Sequence, residues 1–83
     1  MKARIQFEMS EKMGDELEYL MEEFGISTKK DLFNNSISLL KWVHGELEKG
    51  RNVGSINPLN SAYTELQMPI FSNVEKTEGR DAA

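Results

Sequence analysis

The stretch Lys2-Ala3-Arg4-Ile5-Gln6-Phe7-Glu8-Met9-Ser10 decides how the rest of the chain is read. Ala3, Ile5, Phe7 and Met9 alternate strictly with Lys2, Arg4, Gln6 and Glu8. That is the period of a half-buried strand, apolar on one face and polar on the other. No second strand pattern follows until after residue 50. A lone strand leaves its backbone N–H and C=O groups without partners and gains little by itself. Its partner must therefore come from late in this chain or from a second copy of the chain.

Outward from this stretch, the composition narrows the choices. With 83 residues the chain makes one small domain, marginal in stability unless stapled or oligomeric. There is no cysteine, which removes disulfides and thiolate metal sites, and the single histidine, His44, removes any multi-histidine site. No apolar run approaches the length of a membrane span, and no signal-peptide core follows Met1-Lys2. The expectation is a cytoplasmic protein with no membrane association and no cofactor. The net charge of −4 argues against non-specific nucleic-acid affinity, but the charges are unevenly placed. Glu11, Asp15, Glu16, Glu18, Glu22 and Glu23 crowd one segment, whereas Lys2 with Arg4 and Lys29 with Lys30 form two small basic clusters.

Ser10 is placed to cap a helix, and the acids after it suit a positive helix start. Met13, Leu17, Leu20, Met21 and Phe24 then form one helical stripe, with Gly14 costing about 1 kcal/mol relative to alanine. Gly25 ends the helix in the left-handed region. A second start follows in Ser27-Thr28-Lys29-Lys30-Asp31, where either hydroxyl could cap and Thr28 with Asp31 resembles a shortened capping box. The pattern predicts a helix from about Lys29 to Glu48, closed by Lys49-Gly50. Leu32, Phe33, Ile37, Leu39, Leu40, Val43 and Leu47 give it a broad apolar arc, with Trp42 to one side, which calls for more than one packing neighbour.

Past Arg51, Val53–Ile56 and Ala62–Met68 read as two short strands around a five-residue turn, Asn57–Ser61, with Pro69 ending the second. The residues from 72 to 83 are polar and aperiodic and are expected to be disordered. Three regions result: 1–50, a hairpin extension over 51–71, and a tail over 72–83. Tyr63 and Phe71 are candidates to cover the inner face of the hairpin.

The order of strand, helix, Gly-Ile-Ser-Thr-Lys turn and longer apolar helix resembles the ribbon-helix-helix family of DNA-binding proteins, of the Arc and methionine-repressor type. The resemblance rests on Arg4 to Met9, on Leu17, Leu20, Met21 and Phe24, and on Gly25 to Leu32. It implies an α+β, mostly α fold and an intertwined homodimer in which segment 3–9 pairs antiparallel with its copy. It also implies a transcriptional regulator, most simply a repressor, whose C-terminal extension can carry a second task such as gripping a toxin.

The physics of such a ribbon stands beside the resemblance. Ile5, Phe7 and Met9 would face the helices, while the outer face would present Lys2, Arg4, Gln6 and Glu8 twice about a two-fold axis. A two-stranded ribbon fits the major groove of B-DNA, where Arg suits guanine, Gln suits adenine, and Glu can accept only from a donor such as cytosine N4. Lys2, Ser27, Thr28, Lys29 and Lys30 are the candidate phosphate contacts, the last four around a helix start whose free amides favour an anion. Two blander readings stand against this. Polar residues on an exposed strand face need no explanation, and Ser27 to Lys30 can be a cap with surface lysines. Three alternatives remain at this stage: an antitoxin-type regulator, a dimeric protein-interaction module that never touches DNA, and a monomer in which the C-terminal strands pair with segment 3–9. No nucleophile–base pair, metal constellation or phosphate-cradling loop suggests an enzyme.

Overall fold

The computed structural model describes residues 3–77 and is a small, mostly helical α+β protein. Its order is α1 (Glu11–Glu23), α2 (Lys29–Glu48), β1 (Gly54–Ile56), β2 (Tyr63–Glu65) and a 3-10 turn at Pro69–Asn73. The chain divides into two compact units, Met1–Asn35 and Ser36–Ala83, and the division falls inside α2.

In the first unit α1 starts and stops, and α2 starts, where local chemistry directs. Ser10 is extended, and its Oγ accepts from the Met13 amide at 3.1 Å, which satisfies one orphan donor of α1. At the other end Gly25 takes φ +67. The Ile26 amide donates to the Met21 carbonyl at 2.8 Å and the Gly25 amide to that of Glu22 at 3.2 Å. This paired arrangement is a Schellman turn, and it needs a residue without Cβ strain at position 25. Only two residues then separate Gly25 from Thr28, which caps α2.

Segment 3–9 makes no backbone hydrogen bond to the described residues and belongs to no ladder. All of its side chains are exposed, including those of the apolar face, with Ile5 at 66%, Phe7 at 71% and Met9 at 39%. Along the stripe of α1, Met13 and Leu20 are exposed and Leu17 and Met21 half-buried, and Phe24 at the C-cap is 75% exposed. No side chain between residues 3 and 35 is buried.

In the second unit Val43 and Val53 are the buried side chains among the described residues. α2 closes at Gly50, φ +79, in a second Schellman turn: Arg51 donates to the Glu46 carbonyl at 3.0 Å and Gly50 to that of Leu47 at 3.0 Å. The Glu46 carboxylate adds ion pairs to Arg51 at 3.3 Å and Lys49 at 3.7 Å, a modest surface contribution.

β1 and β2 form an antiparallel hairpin in the register Gly54 with Glu65, Ser55 with Thr64 and Ile56 with Tyr63. The Leu66 amide extends the pairing to the Val53 carbonyl at 2.7 Å. The strands are shorter than their sequence pattern suggests, so the connection runs over residues 57–62, one residue more than the expected Asn57–Ser61. The loop is tightly bonded within itself. Asn57 donates to the Ala62 carbonyl at 2.8 Å, its side-chain oxygen accepts from Leu59 at 2.9 Å, and Asn60 does the same for Ala62 at 2.9 Å. Ser61 sits at φ +59, a left-handed position a non-glycine residue holds only because these bonds fix it.

Among the described residues the sheet contains β1 and β2 alone. Beyond Pro69 the 3-10 turn keeps Ser72 and Asn73 in hydrogen-bonded backbone, with Ser72 Oγ donating to the Pro69 carbonyl at 2.9 Å. Ordered structure thus runs two residues past the expected start of the tail. Of the remainder of the expected tail, residues 74–77 are described and residues 78–83 lie outside the described residues. Among the described residues no helix is long and apolar enough to cross a membrane.

Candidate nucleic-acid interface

The candidate residues fall into two groups, both in the first unit. Arg4, Gln6 and Glu8 lie on the unpaired segment, all exposed. Among the described residues neither Arg4 nor Glu8 forms an ion pair. These three exposed polar side chains alternate strictly with the exposed apolar Ile5, Phe7 and Met9. Lys2 lies outside the described residues.

The second group surrounds the start of α2. Thr28, rather than Ser27, is the cap: its Oγ1 accepts from the Asp31 amide at 3.1 Å, and its carbonyl accepts from Leu32 at 3.1 Å. The amides of Lys29 and Lys30 have no acceptor among the described residues, so they remain available at the positive end of the helix. Ser27, Lys29 and Lys30 are exposed. Asp31 shares this end, and its carboxylate offsets part of the attraction for an anion. Its carbonyl also accepts from the Asn35 side chain at 2.8 Å. The sequence marked Asp31 only as a capping partner, although its place in the first turn already carried this electrostatic meaning.

The residues left open by sequence take ordinary places. Trp42 is exposed, and His44 Nδ1 lies 3.6 Å from Glu48 Oε1 one turn along the same helix. Tyr63 packs its ring against Gly54, while Phe71 is half-buried. Leu59, which sequence reasoning did not single out, stands 94% exposed at the tip of the hairpin. The turn-forming run Asn57-Pro58 announces the loop but not which side chain it projects.

No family model matches the chain, and neither a curated protein nor a solved structure does.

Proposed function

We propose that this chain is a sequence-specific DNA-binding regulator that acts as an intertwined homodimer of ribbon-helix-helix type, with segment 3–9 of two copies forming the ribbon. The observation that carries this reading is the segment itself. Among the described residues it is unpaired, it exposes Ile5, Phe7 and Met9, and no side chain from residue 3 to 35 is buried. A second copy supplies both the missing ladder and the missing apolar neighbours.

In the dimer, Arg4 and Gln6 read base edges in the major groove, with Glu8 beside them, while the start of α2 grips a phosphate through Thr28, Lys29 and Lys30. Ser27 and Lys2 complete the phosphate contacts. The acidic α1 is compatible with this only on the side away from the duplex.

A second reading is favoured by Leu59 and the exposed apolar residues Ile56, Tyr63 and Leu66 of the hairpin. It is an antitoxin-type regulator, or an interaction module, whose C-terminal region binds another protein.

Selection of bound duplexes from a random pool, read with the mass of the free protein, tests the proposal. A symmetric consensus and a dimer mass are expected. A folded 9.5 kDa monomer would rule the ribbon out.

A further inference from the structure

Resting on the homodimer just proposed, we infer that the ribbon is centred on Gln6, so that Arg4 of each chain lies directly opposite Glu8 of the partner subunit and forms a cross-strand ion pair with it.

Symmetry and the pleat limit the registers sharply. Residues directly opposite one another in an antiparallel pair project to the same face. Ala3, Ile5, Phe7 and Met9 must share a face in both copies, because a slip by one residue would turn the whole apolar set to solvent. In a two-fold pair the numbers of opposed residues have a constant sum, and this requirement makes the sum even. The axis therefore passes through a residue that opposes its own copy.

Centring on Gln6 pairs the whole of 3–9 with its copy. Ala3 then opposes Met9 of the partner subunit, and Ile5 opposes Phe7 of the partner subunit, so every apolar side chain meets an apolar one. Moving the centre to Ile5 leaves Phe7 opposite only the small Ala3, sets Arg4 against Gln6, and puts Lys2 opposite Glu8. Moving it to Phe7 shortens the pairing to 5–9 and sets Gln6 against Glu8.

Charge agrees with this register, in which Glu8 meets Arg4, while the register centred on Ile5 would set Glu8 against Lys2, so the apolar pairing carries the choice. Arg4 and Glu8 are exposed and have no ion-pair partner among the described residues. Of these three registers, the one centred on Gln6 alone brings them face to face, and it does so twice in the dimer. Opposite charges directly across a ladder are stabilising and like charges destabilising.

The assignment gives Glu8 a task that base contact gave poorly. A carboxylate pointing into a groove lined by phosphates is repelled unless it meets a cation or a base-edge donor. Opposite Arg4 it has its cation, and it holds the guanidinium in a fixed direction. Glu8 is then a positioning residue, Arg4 is the side chain it aims, and the two copies of Gln6 sit together on the axis.

The absence of cysteine makes the register directly readable, because each single-cysteine variant carries one thiol. Under mild diamide oxidation Gln6→Cys is expected to form a disulfide-linked dimer by itself. Arg4→Cys and Glu8→Cys are each expected to stay unlinked alone, since residue 4 of one chain and of its copy lie about 13 Å apart along the ribbon. Mixed together, those two variants should link. In parallel, Glu8→Arg should weaken dimerisation roughly tenfold by opposing like charges, and the exchange Arg4→Glu with Glu8→Arg should restore it. If Gln6→Cys fails to link in a protein that is dimeric by mass, or Arg4→Cys links alone, the register is wrong. Failure of the exchange to rescue Glu8→Arg equally overturns the assignment. A monomeric mass for the unaltered protein would instead remove the dimer on which it rests.

Discussion

The ring of Tyr63 lies against Gly54 across the β1–β2 pair, so close that a Cβ at residue 54 would stand 2.8 Å from two of its carbon atoms. The carbonyl oxygen of Thr64 crowds the same point. Glycine is required here for space: it lets an aromatic ring cover a backbone that has no side chain of its own. A Gly54→Ala substitution forces either the ring or the ladder to shift, at about 1–3 kcal/mol. The expected outcome is faster amide exchange at Leu66, whose N–H bonds to Val53 at the open end of the hairpin. Protection in α1 should not change.

Thr28 and Ser27 are neighbours with similar chemistry and different tasks. The hydroxyl of Thr28 caps α2, so Thr28→Ala should cost about 1 kcal/mol and lower the thermal midpoint. Ser27→Ala should leave the midpoint nearly unchanged. Equal losses in circular-dichroism melts would show that the cap is shared.

Arg4→Ala and Gln6→Ala separate reading from folding. Both side chains are exposed and support no internal contact, so dimer stability should survive the loss of Gln6 and fall only slightly with the loss of Arg4. Affinity for a cognate duplex should fall by about 1–3 kcal/mol for each lost base contact. Titration at two salt concentrations checks this, since a base contact lowers affinity without much change in the salt slope. Unchanged affinity in both variants would remove the readout assignment.

Phe7→Ala should behave in the opposite way. Its ring is 71% exposed in the single chain, where truncation would cost little. In a ribbon dimer it is core, and removal should cost about 3–5 kcal/mol and dissociate the protein. Sedimentation of the variant distinguishes these cases without any DNA present.

The helices were legible almost residue by residue because their ends are local events. Ser10 and Thr28 act on amides three residues away, and Gly25 and Gly50 release a strain that belongs to one residue. The hairpin was legible as a pair of strands but not in length. Its ends depend on ladder hydrogen bonds between residues distant in sequence, such as Leu66 with Val53, which alternation does not encode. The turn at Pro69–Asn73 was missed because proline marks the end of a strand without saying whether helical backbone follows. Of the candidate site, the structure shows Arg4, Gln6, Glu8, Ser27, Thr28, Lys29 and Lys30 to be exposed. The partition of labour between Ser27 and Thr28 was not legible, because both hydroxyls satisfy the same capping pattern.

The bare apolar face at Ile5, Phe7 and Met9 has a consequence for dosage. If the proposed dimer forms, a unit whose described residues bury no side chain draws its stability from association, and such stability rises and falls with the number of copies present. On the dimer proposed here, melting temperature should climb with protein concentration, and dilution should abolish fold and DNA reading in a single step. A regulator built this way responds to its own abundance, switching off by dissociation before any other molecule has to remove it.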